Sequence, residues 1–151
     1  MTMTKMTSKK AFISVSLLGL FGYAATASAH NIDGALGKAA GATDYYQVEC
    51  FDDGSGPAGY LVVEIKDLAP VAAPLISVQV TKGNIARNST DTVDGNATYG
   101  PTLTVKGGNG VYFLTVDKTG AKAETYNLQI HCLTAGGLHT GTQEPELLQD
   151  Q

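Results

Sequence analysis

Tryptophan is absent from this chain, and of its 10 basic residues three, Lys5, Lys9 and Lys10, stand at the extreme N-terminus. Beyond Ala29, seven basic residues face 14 acidic ones, so the formal charge moves from −4 to −7. A surface that acidic excludes a protein that holds nucleic acid by neutralising phosphates. It equally disfavours docking on an anionic membrane. No apolar run reaches the roughly 20 residues that span a bilayer; the longest, Ala11 to Ala25, is shorter and is interrupted by Ser14 and Ser16. Catalytic signatures are missing as well. There is no G-x-S-x-G elbow, no H-E-x-x-H pair and no glycine-rich phosphate loop ahead of a helix. Asp52 and Asp53 are neighbours, so in an extended chain they point apart, unlike a working acid/base pair. No enzyme is expected.

What is present begins with a positive, then apolar, then small-residue pattern. The three N-terminal lysines precede the run Ala11 to Ala25, and Ala27-Ser28-Ala29 supplies the small residues that a signal peptidase reads. Residues 1–29 are therefore expected to be a signal peptide, which places the protein in the periplasm or outside the cell. Ala25-Thr26-Ala27 is a second cleavage option, two residues earlier. From His30 onward about 120 residues remain, enough for one domain and not two. With only Cys50 and Cys132 in an oxidising compartment, one structural disulfide is the default. Closing a loop of about 80 residues stabilises a fold by roughly 4–5 kcal/mol in the chain-entropy model.

Period-two alternation dominates from Asp44 to Leu133. Tyr46, Val48 and Cys50 share one face of a first strand; Leu61, Val63 and Ile65 share one face of a second; Ile76, Val78 and Val80 follow. The polar stretch Lys82 to Gly100 leaves room for a short edge strand at Ile85 to Asn88, and Thr102 to Lys106 is strand-like. Gly107-Gly108-Asn109-Gly110 is a tight-hairpin signal ahead of an inward set of Tyr112, Leu114 and Val116. The last strand, Glu124 to Leu133, turns Tyr126, Leu128, Ile130 and Cys132 inward and Asn127, Gln129 and His131 outward. Six or seven short strands with closely spaced turns predict an all-β, single-domain antiparallel β-sandwich, jelly-roll or immunoglobulin-like. Both cysteines fall in phase with the apolar positions, so a Cys50–Cys132 bridge through the core fits. Residues 30–42 read as a flexible or short helical lead-in, 43–133 as the sandwich, and 134–151 as a mobile polar tail.

The strand Gly110-Val111-Tyr112-Phe113-Leu114-Thr115-Val116 and the later Tyr126-Asn127-Leu128-Gln129-Ile130 form a G-x-Y-x-x-x-V, Y-x-L-x-V pair. That pair resembles the closing hairpin of bacterial pre-peptidase C-terminal domains, and the resemblance extends over about residues 43–132, although the cysteine pair is outside the family pattern. It implies a jelly-roll-like sandwich that accompanies secreted enzymes or stands alone as a binding or accessory module. It also implies a calcium option, since some members bind the ion through acidic loop residues; Asp52, Asp53, Asp91 and Asp94 are the nearest candidates here.

The chain has three histidines, His30, His131 and His139. Cleavage after Ala29 makes His30 the first residue, where its α-amine and ring nitrogen form a chelate suited to Cu(II). Strand phase leaves His131 on the polar face, and His139 lies in a glycine-rich stretch able to fold back. The leading expectation is a small exported, non-catalytic binding or accessory module whose partner is an unknown protein or small ligand, with no nucleic acid and no membrane span after cleavage. One rival is a periplasmic copper-binding protein using His30 with His131 or His139. Another is a structural subunit of an extracellular assembly, self-assembling through strand edges or a donated segment 30–42.

Overall fold

The computed structural model describes residues 30–72 and 74–151; the expected signal peptide, residues 1–29, lies outside the described residues. Strands form where the alternation runs uninterrupted, because successive strand residues point to opposite faces. In chain order they are β1 (His30–Leu36), β2 (Asp44–Phe51), β3 (Ala58–Asp67), β4 (Ile76–Lys82) and β5 (Ile85–Thr90). Then come β6 (Leu103–Val105), β7 (Gly110–Lys118), β8 (Glu124–Thr134), β9 (Gly141–Thr142) and β10 (Glu146–Gln149). Among the described residues there is no helix. One antiparallel sheet has the order β1-β8-β3-β6. The other runs β10-β2-β7-β4-β5, with β9 also paired to β2. The expected all-β antiparallel sandwich is the fold.

Every position that alternation assigns to the inside is buried: Tyr46 and Val48 of β2, Leu61, Val63 and Ile65 of β3, Ile76, Val78 and Val80 of β4, Tyr112, Leu114 and Val116 of β7, and Tyr126, Leu128 and Ile130 of β8. Each such aliphatic side chain contributes about 1.5–3 kcal/mol on leaving water. Cys50 and Cys132 close the disulfide between β2 and β8, one strand from each sheet, with Cα atoms 5.6 Å apart. Gly83 turns the β4–β5 hairpin at φ 57°, a conformation that glycine adopts without strain.

Two segments differ from expectation. Residues 30–42 open with β1, which pairs with β8 from His30↔Ile130 to Leu36↔Glu124. The alternation there is His30, Ile32, Gly34, Leu36, and glycine hides it. Gly34 is required by a close approach, since a Cβ at that position would lie 2.2 Å from the Tyr126 ring. In this structure the segment pairs within its own chain. The polar tail is also ordered. β9 pairs with the end of β2 through Cys50↔Thr142, and β10 with its beginning through Leu147↔Tyr46. Beyond β10, Gln151 N–H donates to Asp44 Oδ1 at 2.9 Å, and Gly37 N–H donates to the Gln151 carbonyl at 2.8 Å. The reason is the ladder: with β7 on one side, β2 has backbone donors and acceptors on the other that the tail satisfies.

Candidate functional site

The three histidines do not gather at one point. His30 stands opposite Ile130, a core position, and therefore faces inward at the edge of its sheet. Its Nε2 lies 3.0 Å from the Thr142 carbonyl oxygen, an acceptor only, so that nitrogen carries a proton. Its Nδ1 lies 2.8 Å from Glu144 Oε2. His131, one residue beyond Ile130, faces the outer side of the same sheet and pairs with Val62. The Leu133↔His139 bridge folds the glycine-rich segment back, setting the His139 ring edge-on to His131 with centroids 4.9 Å apart. Burial holds the His131 pKa below its ordinary value. The neighbouring His139 and His30 act the same way, and Glu64 opposes them. His131 Nδ1 is buried without a hydrogen-bond partner. The sheet thus joins His131 to His139 and puts His30 on its other face.

The four acidic candidates separate to opposite ends of the sandwich. Asp52 and Asp53 lie in the β2–β3 loop and shape it. Asp52 Oδ1 accepts the N–H groups of Gly54 at 2.8 Å and Gly56 at 3.0 Å, and Asp53 Oδ1 accepts that of Ser55 at 3.0 Å. The Ser55 backbone bond holds the Asp53 carboxyl below its ordinary range. At the other end, in the β5–β6 connection, Asp91 accepts the Asp67 N–H at 2.9 Å and the Val93 N–H at 3.1 Å. Asp94 has no partner for either carboxylate oxygen. Among the described residues, no three His, Cys, Asp or Glu side chains form a group able to hold a metal ion.

Beside Asp94 stand two carboxylates that loop reasoning overlooked, Asp67 and Glu124. Both are buried; Asp67 Oδ1 and both Glu124 oxygens lack partners. Burial, joined by the charges of Asp94, Glu124 and Asp91 and opposed by the Ile76 N–H, pushes the Asp67 carboxyl up to about 7. Burial likewise raises Glu124, with Asp94 adding to it and Lys122 and Lys118 opposing. The signal was present in the sequence, since each falls in phase with the core positions of its strand.

The sandwich is open along its two sides. On one, a cleft of about 460 Å³ lies between β1 and β10, walled by Leu68 and Leu147 and carrying Asp33, Asp44 and Asp150. Tyr46 and Tyr126 form its floor. The Tyr126 hydroxyl donates to Asp44 Oδ2 at 2.5 Å, and the two phenol oxygens are 2.7 Å apart. Burial raises the pKa of both phenols, and negative charge at Asp44 adds to it, with Asp150 also acting on Tyr46. Among the described residues no Lys, Arg or His lines this cleft. On the other side, a cleft of about 680 Å³ between β5 and β6 carries Arg87 and Lys106, with Ile85 and Val105 beneath and, among the described residues, no carboxylate. Neither cleft was legible as a site, because Tyr46 and Tyr126 read as core and the short edge strand at Ile85 to Asn88 carries no sign of what lies across from it.

No protein-family model matches the chain, and no curated protein matches it either.

Proposed function

We propose that this protein is a small exported, non-catalytic binding module that engages a partner through the acidic cleft between β1 and β10. The observation that carries the reading is the lining of that cleft. Asp44, Asp150 and two phenols meet between apolar walls, Asp33 stands at the rim with its carboxylate bonded to Asn127 on the outer face, and among the described residues no basic side chain lines the cleft. Concave sites with few, convergent polar groups are where binding concentrates, and the sign of the charge selects a partner that presents ammonium or guanidinium groups. The non-catalytic part rests on the sequence, which carries no nucleophile elbow and no metalloprotease motif. Export rests on the N-terminal pattern, and the Cys50–Cys132 disulfide is compatible with it. Titrating a short lysine- and arginine-containing peptide into ¹⁵N-labelled protein tests the reading. The amides of Gly34, Thr125 and Leu147 are expected to shift, and D150N to weaken the effect. A titration that leaves those amides unmoved overturns it.

A second reading is favoured by the His131–His139 pair. Two imidazoles 4.9 Å apart, one with a buried nitrogen lacking a partner, are a starting point for a copper or zinc site. Native mass spectrometry of protein bearing its own N-terminus decides it. Stoichiometric copper lost in His139→Ala supports the pair, and copper that survives that substitution while vanishing behind an added N-terminal Met supports a separate chelate at His30.

A further inference from the structure

The two open sides of the sandwich carry opposite charge, and each is bounded by strand edges. β1 and β10 end their sheets on one side, β6 and β5 on the other. An edge strand leaves backbone donors and acceptors unpaired along its outer side, a template for another strand. On the acidic side, Glu146 opens β10 and Asp150 follows it, while Leu147 and Leu148 are 44% and 45% exposed. On the basic side stands Arg87, the sole arginine of the chain, with Lys106 across the cleft from it. Both cations are exposed, and the partly buried Ile85 between them packs on the core.

We propose that the protein associates with itself head to tail, the acidic β1/β10 side of one copy seating on the basic β5/β6 side of the next. This rests on the acidic cleft being the binding face and names its partner as a second copy of the chain. Laying β10 along β5 continues one sheet into the next copy. It brings Glu146 and Asp150 toward Arg87 and Lys106 and covers Leu147 or Leu148 against the apolar floor at Ile85. Such a contact joins two different surfaces, so each copy keeps one acidic and one basic side free, and the assembly grows unless rotation closes it into a ring. Its attraction is electrostatic at exposed charges and therefore weakens with salt.

Charge exchange tests this directly. Light scattering behind size exclusion is expected to show the weight-average mass of the wild-type exported chain at least doubling as concentration rises, and returning to monomer at high salt. R87E/K106E and E146K/D150K change exposed side chains only. Each is expected to stay monomeric with an unchanged melting temperature. Mixed in equal amounts they present acid against base at both sides again, and the larger species is expected to return. A wild type that is monomeric at every concentration and salt overturns the proposal, and so does association that both reversals leave intact. If self-association fails while the basic peptide still shifts Gly34 and Thr125, the cleft remains a binding face and only the choice of partner falls. If the peptide fails too, both readings fall.

Discussion

Tyr126 of β8 gives its hydroxyl proton to Oδ2 of Asp44 on β2, 2.5 Å away, a hydrogen bond that joins the two sheets at the rim of the core. Because that proton is committed, the hydroxyl of Tyr46, 2.7 Å from Tyr126, donates in turn to the Tyr126 oxygen. A buried aspartate is tolerated at the start of β2 because the Tyr126 hydroxyl and the Gln151 N–H both point at it.

Removing only the hydroxyl tests the pair of bonds it makes. Tyr126→Phe keeps the ring in its slot above Gly34, leaves Asp44 Oδ2 without its donor and leaves the Tyr46 hydroxyl without its acceptor. The loss expected in urea unfolding is about 1–3 kcal/mol, the cost of a buried polar group left unpaired. A change too small to measure would mean that water replaces the phenol from the cleft.

Asp67 makes stability depend on pH in an unusual direction. Its carboxyl sits at about 7 in the folded chain, against about 3.9 for an ordinary aspartate. Between those values the folded protein holds a proton that the unfolded chain has released, so stability falls as pH rises through that window and levels off above it. Glu124, raised by burial as well, acts in the same sense. Melting temperatures are therefore expected to decline from acid toward neutral pH, and Asp67→Asn to reduce the decline while retaining the acceptor for Ile76 N–H. An identical pH profile in the variant would contradict this.

The disulfide joins strands of opposite sheets across a sequence separation of 82. Cys132→Ala is expected to lower the melting temperature strongly in oxidised protein, by the equivalent of roughly 4–5 kcal/mol in the chain-entropy model. It should change little under reducing conditions. Equal effects in both would place the stabilisation in side-chain packing and not in the cross-link.

Leu128 lies at the centre of β8, fully buried between β1 and β3. Leu128→Ala is expected to cost about 2–5 kcal/mol by equilibrium denaturation, the range for an aliphatic truncation in a close-packed core. A near-neutral result would place this position outside the core.

Alternation along the chain was enough to determine most strands, the inward set from Tyr46 to Cys132, and the pairing of the two cysteines. Each of those follows from neighbours within a few residues and from a face that must leave water. The outward direction of His131 was legible for the same reason. Other features depended on which strands lie side by side. The ordering of β1 and of the tail came from open edges of β8 and β2, which no local pattern reveals. Gly34 concealed a strand because the missing side chain makes room for Tyr126, 92 positions on in the chain by their opposition in the β1–β8 ladder. The joining of His131 to His139, with His30 across the sheet, was decided by register. So was the gathering of Asp67, Asp94 and Glu124 at one end, and of acid and base on opposite sides. Sequence alone determined what each strand buries; only the tertiary structure decided which charges meet, because backbone pairing brings together residues whose separation along the chain carries no signal.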